Sequence, residues 1–339
     1  MTIKDIAKEC GCAVGTVSRV LNNHPDVSDK TREKVLAVVE HYGFVANANA
    51  KQLKSQERKN LAIIVKGTSS IFLNSLTERI LKRLETSSYS ADVIILDEND
   101  NEGTEAVKVY FSLKPLGIIF LGGTPEMIGG DFEKVHVPSI LISNNAGSQD
   151  SSYLSSISTD NFKAAYCSAS HLIKNGHTQI GVIGGSLDFA LARIRYEGFA
   201  KALEEAKIAF DFAKAYEASK YSFEGGFNAA QALLQKNPDI TAIFTMSDVM
   251  AIGAMRKLKD IGKAVPDDIS VIGFDGISLS SYMSPRLTTI HQLEDRLADE
   301  GLALLLDSIE KKTPPSHKLI PFEFIEGESV KAINQSFQG

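Results

Sequence analysis

The sequence predicts a small all-α head followed by a larger α/β body that contains two doubly wound parallel sheets. Its 339 residues are enough for two or three domains of roughly 150 residues each. Residues 1–60 carry ten basic and seven acidic side chains, whereas the remainder carries 26 basic and 35 acidic ones. From residue 61 onward, apolar strand-like runs alternate with helical patterns in two successive series. A basic head on an acidic body indicates two parts with different partners, and the head is the part suited to nucleic acid.

Three short helices account for the pattern of the head. Thr2 and Asp5 form a capping box that begins the first helix, and Gly11 ends it. The second helix has an apolar back and a polar front, and the third begins at Ser28 as its N-cap and runs to Tyr42. Two short helices with this division of faces are typical of a helix-turn-helix, whose front offers polar groups to base edges and phosphates. A small three-helix bundle with a solvated face fits the same pattern equally well.

The strand-like runs of the body are continuously apolar rather than alternating. They are Leu61–Val65, Val93–Leu96, Ile118–Leu121, Ile140–Ser143, Ile180–Ile183, Ala242–Met246 and Ser270–Phe274. Continuous runs between helices indicate parallel strands that are buried on both faces, so the two series predict two lobes. Ligands of such sheets bind beyond the carboxyl ends of the strands, so the cleft between two facing lobes is the expected binding site.

Composition excludes several classes of protein. Apolar residues make up 43% of the chain, but no run of about 18 of them predicts a membrane span, and we expect no membrane partner. The first residues contain no secretory signal, and three cysteines favour a reducing cytosol over a disulfide framework, so we expect a cytoplasmic protein. Cys10 and Cys12 lack a second pair at zinc-site spacing, and we expect neither a metal nor a cofactor.

Three segments of the head, residues 2–7, 15–22 and 27–35, resemble in order the head of the LacI/GalR family of bacterial transcription regulators. The likeness continues through the body and covers essentially the whole chain. The matching body segments are residues 171–177, 247–253, 266–275 and 287–290. The resemblance implies a repressor, not an enzyme, that binds palindromic operator DNA as a homodimer. It further implies a periplasmic-binding-protein-like body with a small-molecule effector, expected to be a carbohydrate, between its lobes.

The same resemblance assigns DNA-contacting roles within the head. On the second helix the implied contacts are Val14, Gly15, Thr16, Ser18 and Arg19. The positions that match phosphate contacts are Thr2, Asn22 and Thr31. Val14 and Gly15 stand where the family reads bases, yet valine offers only apolar contact, for instance to a thymine methyl group, and glycine offers no side chain. Sequence discrimination at those bases is therefore expected to be modest.

A polar, alanine-rich segment connects the head to the body. Leu53 is its one large isolated apolar side chain, and an isolated helix this short is marginal in water. The resemblance implies a hinge that becomes helical on DNA, with Leu53 wedged into the minor groove and with Asn47 and Ala50 at flanking positions. Ala46 replaces the usual proline of the family, so the entry to the hinge is expected to be looser.

These observations give the expected domain boundaries. The head spans residues 1–46, the hinge 47–60, and the effector-binding and dimerisation body 61–339. Within the body we expect one lobe at about 61–159 and 290–320, and the other at about 160–289 and 321–339. The chain then crosses between the lobes near Asp160, Thr289 and Pro321.

Candidate effector contacts come from the resemblance and from residues at the predicted strand ends. They are Phe72, Asp160, Arg195, Tyr221, Ser247 and Asp275. Carboxylates and a guanidinium form charge-assisted hydrogen bonds with hydroxyl groups, and an aromatic ring covers the apolar face of a sugar. We favour ligand binding over a structural pair for Asp275 and Arg195, whereas Phe72 fits the core equally well. Asp248 starts a helix, so we expect a capping role there.

Two other classes of protein fit the fold but not the details. A free-standing sugar-binding transport protein predicts an export signal and no DNA-binding head. A Rossmann-like enzyme needs a nucleotide fingerprint or a nucleophile with a base, and neither pattern is present in the sequence.

Overall fold

The computed structural model describes residues 2–21, 26–42, 59–67, 70–97, 100–146 and 152–333. The chain divides into two compact units, residues 1–58 and 59–339, which are described separately. No helix of the described residues combines the length and apolarity that a bilayer crossing requires.

The first unit contains three helices around a small apolar core. They are α1 (Ile3–Glu9), α2 (Val14–Leu21) and α3 (Asp29–His41). The capping box is confirmed, because the Thr2 hydroxyl accepts from the Asp5 N–H (3.4 Å) and the Thr2 N–H donates to the Asp5 carboxylate (2.7 Å). Ser28 occupies the N-cap position of α3, but its hydroxyl pairs with that of Thr31 (2.9 Å), so the expected side-chain cap is wrong. The core consists of Ile6, Ala7, Cys10, Val17, Val20 and Val35.

The second unit contains two six-stranded sheets with helices on both sides. The first sheet has the strand order β11-β5-β4-β3-β1-β2 and is parallel throughout. Its strands are β1 (Lys59–Lys66), β2 (Tyr89–Leu96), β3 (Ile118–Leu121), β4 (Ser139–Ile142), β5 (Leu154–Thr159) and β11 (His317–Ile320). The helices that accompany it are α4 (Ile71–Glu85), α5 (Glu102–Leu113), α6 (Pro125–Ile128) and α12 (Glu294–Lys311).

The second sheet has the order β12-β10-β9-β8-β6-β7, in which only β12 is antiparallel to its neighbour. Its strands are β6 (Ile180–Gly184), β7 (Tyr216–Ala218), β8 (Ala242–Thr245), β9 (Ser270–Asp275), β10 (Thr288–Gln292) and β12 (Phe322–Ile325). The helices between them are α7 (Asn161–Lys174), α8 (Ala190–Glu205), α9 (Phe212–Ala215), α10 (Phe223–Lys236) and α11 (Asp248–Asp260).

Burial on both faces explains the continuous apolar runs. In β1, Leu61, Ile63 and Val65 enter one core of the first lobe, whereas Ala62 and Ile64 enter the core on the opposite face. Helices therefore cover both sides of the sheet, and the prediction of doubly wound parallel sheets is confirmed. The chain passes to the second sheet after β5, returns to the first after β10, and passes over again between β11 and β12.

Candidate functional site

Helix α2 has a buried apolar face and an exposed face on the opposite side. Val17 and Val20 are buried, whereas Val14 is 42% exposed and Gly15 and Arg19 are also exposed. Apart from the backbone of its own helix and its chain neighbours, no described atom lies within 4 Å of the Cβ position at Gly15, so this part of the surface is open. Thr16, Ser18 and Thr31 are half-buried, and Thr2 is exposed at the start of α1. The predicted contacts Asn22, Asn47, Ala50 and Leu53 lie outside the described residues.

A cleft of about 560 Å³ lies in the second unit, and residues from both lobes line it. The lining residues follow the carboxyl ends of parallel strands, as the geometry of such sheets favours. Of the six predicted effector contacts, the lining includes Phe72, Arg195, Tyr221, Ser247 and Asp275. Lining residues that the sequence analysis did not single out include Lys66, Thr124, Ser143, Asn144 and Gln292.

Arg195 extends from α8 and is held rigidly within the second lobe. Its Nε donates to the Asn161 amide oxygen (2.9 Å), and a terminal N–H donates to the carbonyl of Met246. The guanidinium carbon lies 3.7 Å from the centre of the Phe274 ring, a cation–π geometry. Burial lowers the pKa of the guanidinium, and the nearby Asp275 carboxyl opposes that effect. A planar donor fixed on several sides is preorganised to bind ligand oxygens.

Asp275 ends β9 in a strained backbone conformation, with φ at +124°. Such values are rare for residues with a side chain and concentrate at functional sites. The carboxyl group accepts from the Gln292 amide (2.8 Å). Burial raises the pKa of Asp275 to about 8, against the opposing influence of Arg195.

Two buried polar atoms of the cleft have no hydrogen-bond partner within the described residues. They are the Tyr221 hydroxyl and the Gln292 side-chain oxygen. Gln292 is only 1% exposed, and its amide nitrogen already binds Asp275. Buried polar groups are normally satisfied, so these two atoms are candidates to bind a ligand. Gln292 ends β10, and the rule of strand ends would have selected it if the sequence analysis had recognised that strand.

Asp160 is not among the residues that line the cleft, which differs from the expectation. Its carboxylate caps α7 by accepting from the Lys163 N–H (3.1 Å), and it forms an ion pair with the ammonium of the same residue (3.1 Å). The carboxylate is therefore occupied by its own helix.

At the start of α11, Ser247 rather than Asp248 caps the helix, and Ser247 also lines the cleft. The Ser247 hydroxyl caps the helix by accepting from the Met250 N–H (3.3 Å). The expected capping role of Asp248 is wrong, because its carboxyl accepts from the Ile277 N–H (2.9 Å) and the Thr289 hydroxyl (2.6 Å). Burial raises the pKa of Asp248 to about 6. These two hydrogen bonds connect Asp248 of α11 to the loop after β9 and to β10.

Phe72 fits both interpretations that the sequence left open, a core residue and a residue of the cleft. The side chain is buried in the core of the first lobe and also lines the cleft. Together with Tyr221 it places aromatic surface beside the donors and acceptors of Arg195, Asp275 and Gln292. This combination suits a small polar molecule with apolar faces.

Comparisons with known proteins found a matching family model for each of the two parts of the chain. A family model described as "Bacterial regulatory proteins, lacI family" matches residues 2–47, and one described as "Periplasmic binding protein-like domain" matches residues 169–330. The HTH-type transcriptional regulator MalR of Clostridium butyricum is 36% identical over 335 residues, which cover 97% of this chain and 99% of that protein.

Two solved structures show how far the likeness extends. The lac repressor dimer bound to operator and the anti-inducer ONPF is 26% identical, with a TM-score of 0.73 and coverage of 98% of this chain and 99% of that one. A LacI family transcriptional regulator from Enterococcus faecium with bound ribose is 25% identical, with a TM-score of 0.70 and coverage of 81% and 100%. The chain belongs to the LacI family of DNA-binding bacterial transcriptional regulators, which are not enzymes.

Proposed function

We propose that this protein is a cytoplasmic repressor that binds palindromic operator DNA as a homodimer, with an affinity set by a sugar or sugar derivative in the cleft. The observation that carries the proposal is the donor and acceptor set of the cleft. Arg195 presents a fixed guanidinium and Asp275 a fixed carboxyl group, and the Tyr221 hydroxyl and the Gln292 oxygen lack partners within the described residues. Hydroxyl groups both donate and accept, so a polyol satisfies such a set.

The effector contacts in this proposal are residues of the cleft lining. They are Phe72, Arg195, Tyr221, Ser247, Asp275 and Gln292. Asp160 is left out because its carboxylate caps its own helix. The relative with bound ribose supports a sugar as the chemical class of the effector.

The DNA contacts in this proposal are the exposed front of α2 and the positions around it. Within the described residues they are Thr2, Val14, Gly15, Thr16, Ser18, Arg19 and Thr31. Asn22, and Asn47, Ala50 and Leu53 of the hinge, keep the roles that the family resemblance implies. The head then spans residues 1–46, and the hinge lies between it and the body, which begins at Lys59 with β1, two residues before the expected boundary at 61.

Exposed apolar surface on both lobes supports a homodimer. On the first lobe, Ile95 of the edge strand β2 is 63% exposed. On the second lobe, Tyr282 is 85% exposed and is followed directly by Met283. Met283 lines an apolar groove of about 760 Å³ with Phe223, Phe227, Ile252, Met255, Val265 and Pro285. A second copy is the proposed occupant, because a related lac repressor is a dimer on its operator and a palindrome requires two heads.

Regulation in this scheme follows from differential binding. The cleft contains residues of both lobes, so a ligand that contacts both favours one relative arrangement of the lobes over another. The effector then changes the affinity for the operator, and the operator changes the affinity for the effector by the same factor, because one coupling free energy connects the two sites.

The test combines DNA footprinting with effector titration on the full chain. Purified protein is expected to protect a palindromic site near its own gene, with affinity that falls as salt rises. A thermal-shift screen of sugars should identify an effector, because a ligand at about 100 times its Kd adds about 2.7 kcal/mol to the free energy of unfolding. That effector should change the footprint. Tyr221→Phe, which removes only an oxygen without a partner in the described structure, should weaken the response to it.

Conservative variants separate binding from folding. Arg195→Lys keeps the charge but loses the planar donor geometry, so it should also weaken effector binding. Lys82→Met, on the exposed surface of α4, is the matched control. Absence of any protected DNA near the gene contradicts the operator assignment, and a full effector response in both cleft variants contradicts the assignment of the cleft.

A further inference from the structure

A buried ion pair lies in the first lobe beside the cleft. Lys66 Nζ is 3.0 Å from Glu102 Oε2, and the two side chains are 9% and 1% exposed. Lys66 is the last residue of β1 and lines the cleft, whereas Glu102 is the first residue of α5. The residues 61–65 that precede this lysine are all apolar and buried. A cation at this strand end therefore interrupts an otherwise apolar run at the point where the strand meets the cleft.

The carboxylate of the pair is fixed by other contacts. Glu102 Oε1 accepts from the N–H (2.9 Å) and the hydroxyl (3.2 Å) of Thr124, which also lines the cleft. A carboxylate in the first turn of α5 is also favoured by the helix dipole. The second oxygen, Oε2, is thereby aimed at Lys66. Lys66 Nζ has a defined position against the cleft rather than a freely moving one.

Stability does not explain why this pair is buried. Removal of two charges from water costs several kcal/mol per ion, and an apolar pair of similar volume is often equally or more stabilising. An ammonium group carries three N–H donors. Within the described structure Glu102 is the ion-pair partner of Lys66, and the lysine also lines the cleft, so its other N–H donors can bind oxygens of a ligand there.

We propose that Lys66 is a specificity-determining effector contact that donates to oxygens of an uncharged sugar, and that Glu102 makes the cleft prefer this sugar over its phosphate. The inference rests on the proposed function of the cleft as the effector site. The ammonium charge is already balanced at 3.0 Å, so a phosphate that approached it would also approach the carboxylate. A hydroxyl or ring oxygen accepts the same hydrogen bonds without that repulsion.

Isothermal titration of the full chain tests the proposal with defined probes. The uncharged probes are glucose, ribose and cellobiose, and the phosphorylated probes are glucose 6-phosphate and ribose 5-phosphate. The wild-type chain is expected to bind at least one uncharged probe, and to bind it at least about tenfold more tightly than the phosphorylated probes. Lys66→Met should weaken that binding at least about tenfold, since a hydrogen bond to a charged donor is lost.

Glu102→Gln gives the more specific readout. The amide keeps the shape of the carboxylate but leaves the Lys66 charge unbalanced, so the preference should move at least about tenfold toward the phosphorylated sugar. Lys82→Met, an exposed lysine of α4, should leave both affinities unchanged. If Glu102→Gln does not fold, the double variant Lys66→Met/Glu102→Met replaces the pair with apolar side chains. It should fold by circular dichroism and lose uncharged-sugar binding as Lys66→Met does.

The outcomes separate this inference from the proposed function. Unchanged sugar affinity in Lys66→Met or in the double variant overturns the role of Lys66, and if Arg195→Lys still weakens binding, the proposed cleft function survives. If the wild-type chain prefers a phosphorylated probe, the proposed selectivity for an uncharged sugar is wrong, and a sugar derivative remains the proposed effector. A wild-type chain that binds none of the probes contradicts both the selectivity and a sugar as effector.

Discussion

The carboxyl group of Asp275 links the proposed effector chemistry to the stability of the fold. Burial raises its pKa from 3.8 to about 8, while Arg195 lowers it and Asp248 and Glu294 raise it. A raised pKa means that the folded state holds the proton more tightly than the unfolded state. The stabilising contribution is therefore complete below about pH 4 and is lost as pH rises through about 8.

We expect the free energy of unfolding of the wild-type chain, measured with urea, to fall between pH 5 and pH 9 because of this group. In Asp275→Asn, which keeps a neutral side chain of the same shape, the fall should be clearly smaller. A residual fall should remain, because burial also raises the pKa of Asp248, to about 6. Asp188→Asn, which alters an exposed carboxylate, is the control. Equal pH dependence in wild type and Asp275→Asn would show that Asp275 is ionised in the fold at neutral pH.

Individual strands differ in how well the sequence predicts them, and their burial and their content of apolar residues together explain the difference. The seven apolar runs all fall within strands or overlap them, and in the inner strands two covered faces account for the continuous signal, whereas the run on the edge strand β2 includes the exposed Ile95. The seven runs leave out β7, β11 and β12, which lie at sheet edges and are short or largely exposed. They also leave out β5 and β10, which are buried but consist mostly of polar residues. Such strands carry almost no periodicity to detect.

The candidate site follows the same logic. Tyr221, Ser247 and Asp275 come from the family resemblance, Ser247 and Asp275 also follow predicted strands, and all three line the cleft. Gln292 was missed together with its strand. Lys66 directly follows the predicted run Leu61–Val65, so the rule of strand ends could have selected it. Its pairing with Glu102 could not be predicted, because the two residues are distant in sequence and meet only in the folded chain.

A buried histidine, His177, forms a hydrogen bond with the last described segment of the second lobe. His177 Nε2 donates to the Lys331 carbonyl (3.1 Å), and Nδ1 lies 3.0 Å from the Thr241 hydroxyl. Burial lowers the pKa of the imidazole, so its neutral form is favoured. His177→Ala leaves a carbonyl and a hydroxyl without this partner and should lower the free energy of unfolding by about 2–3 kcal/mol. His136→Ala, at an exposed histidine, should cost less than about 0.5 kcal/mol.

Urea unfolding of both variants checks this prediction. An equally small loss for His177→Ala would mean that water satisfies the freed groups and that the segment near Lys331 does not depend on the imidazole.

At the scale of the whole molecule, the proposed DNA contacts, dimer surfaces and effector cleft depend on one another. A head with a single recognition helix contacts one half of a palindrome, so specific binding requires two chains held at a defined separation. The proposed dimer surfaces lie on both lobes, and the cleft is lined by both lobes as well. An effector that alters how the lobes meet therefore acts on the same surfaces that hold the two chains together.

This arrangement predicts that an acidic substitution on the apolar surface of the second lobe separates the chains. Tyr282→Asp places a charge where the side chain is 85% exposed in the single chain and buried in the proposed dimer. Burial of an unpaired charge is costly, so sedimentation velocity should find a monomer at concentrations where the wild-type chain is a dimer. Leu319→Asp, on β11 at the opposite edge of the first sheet from β2, should remain dimeric. Operator affinity should fall with the loss of the dimer, because one head then loses the contribution of the other. A Tyr282→Asp chain that stays dimeric would place the interface on a different surface of the body.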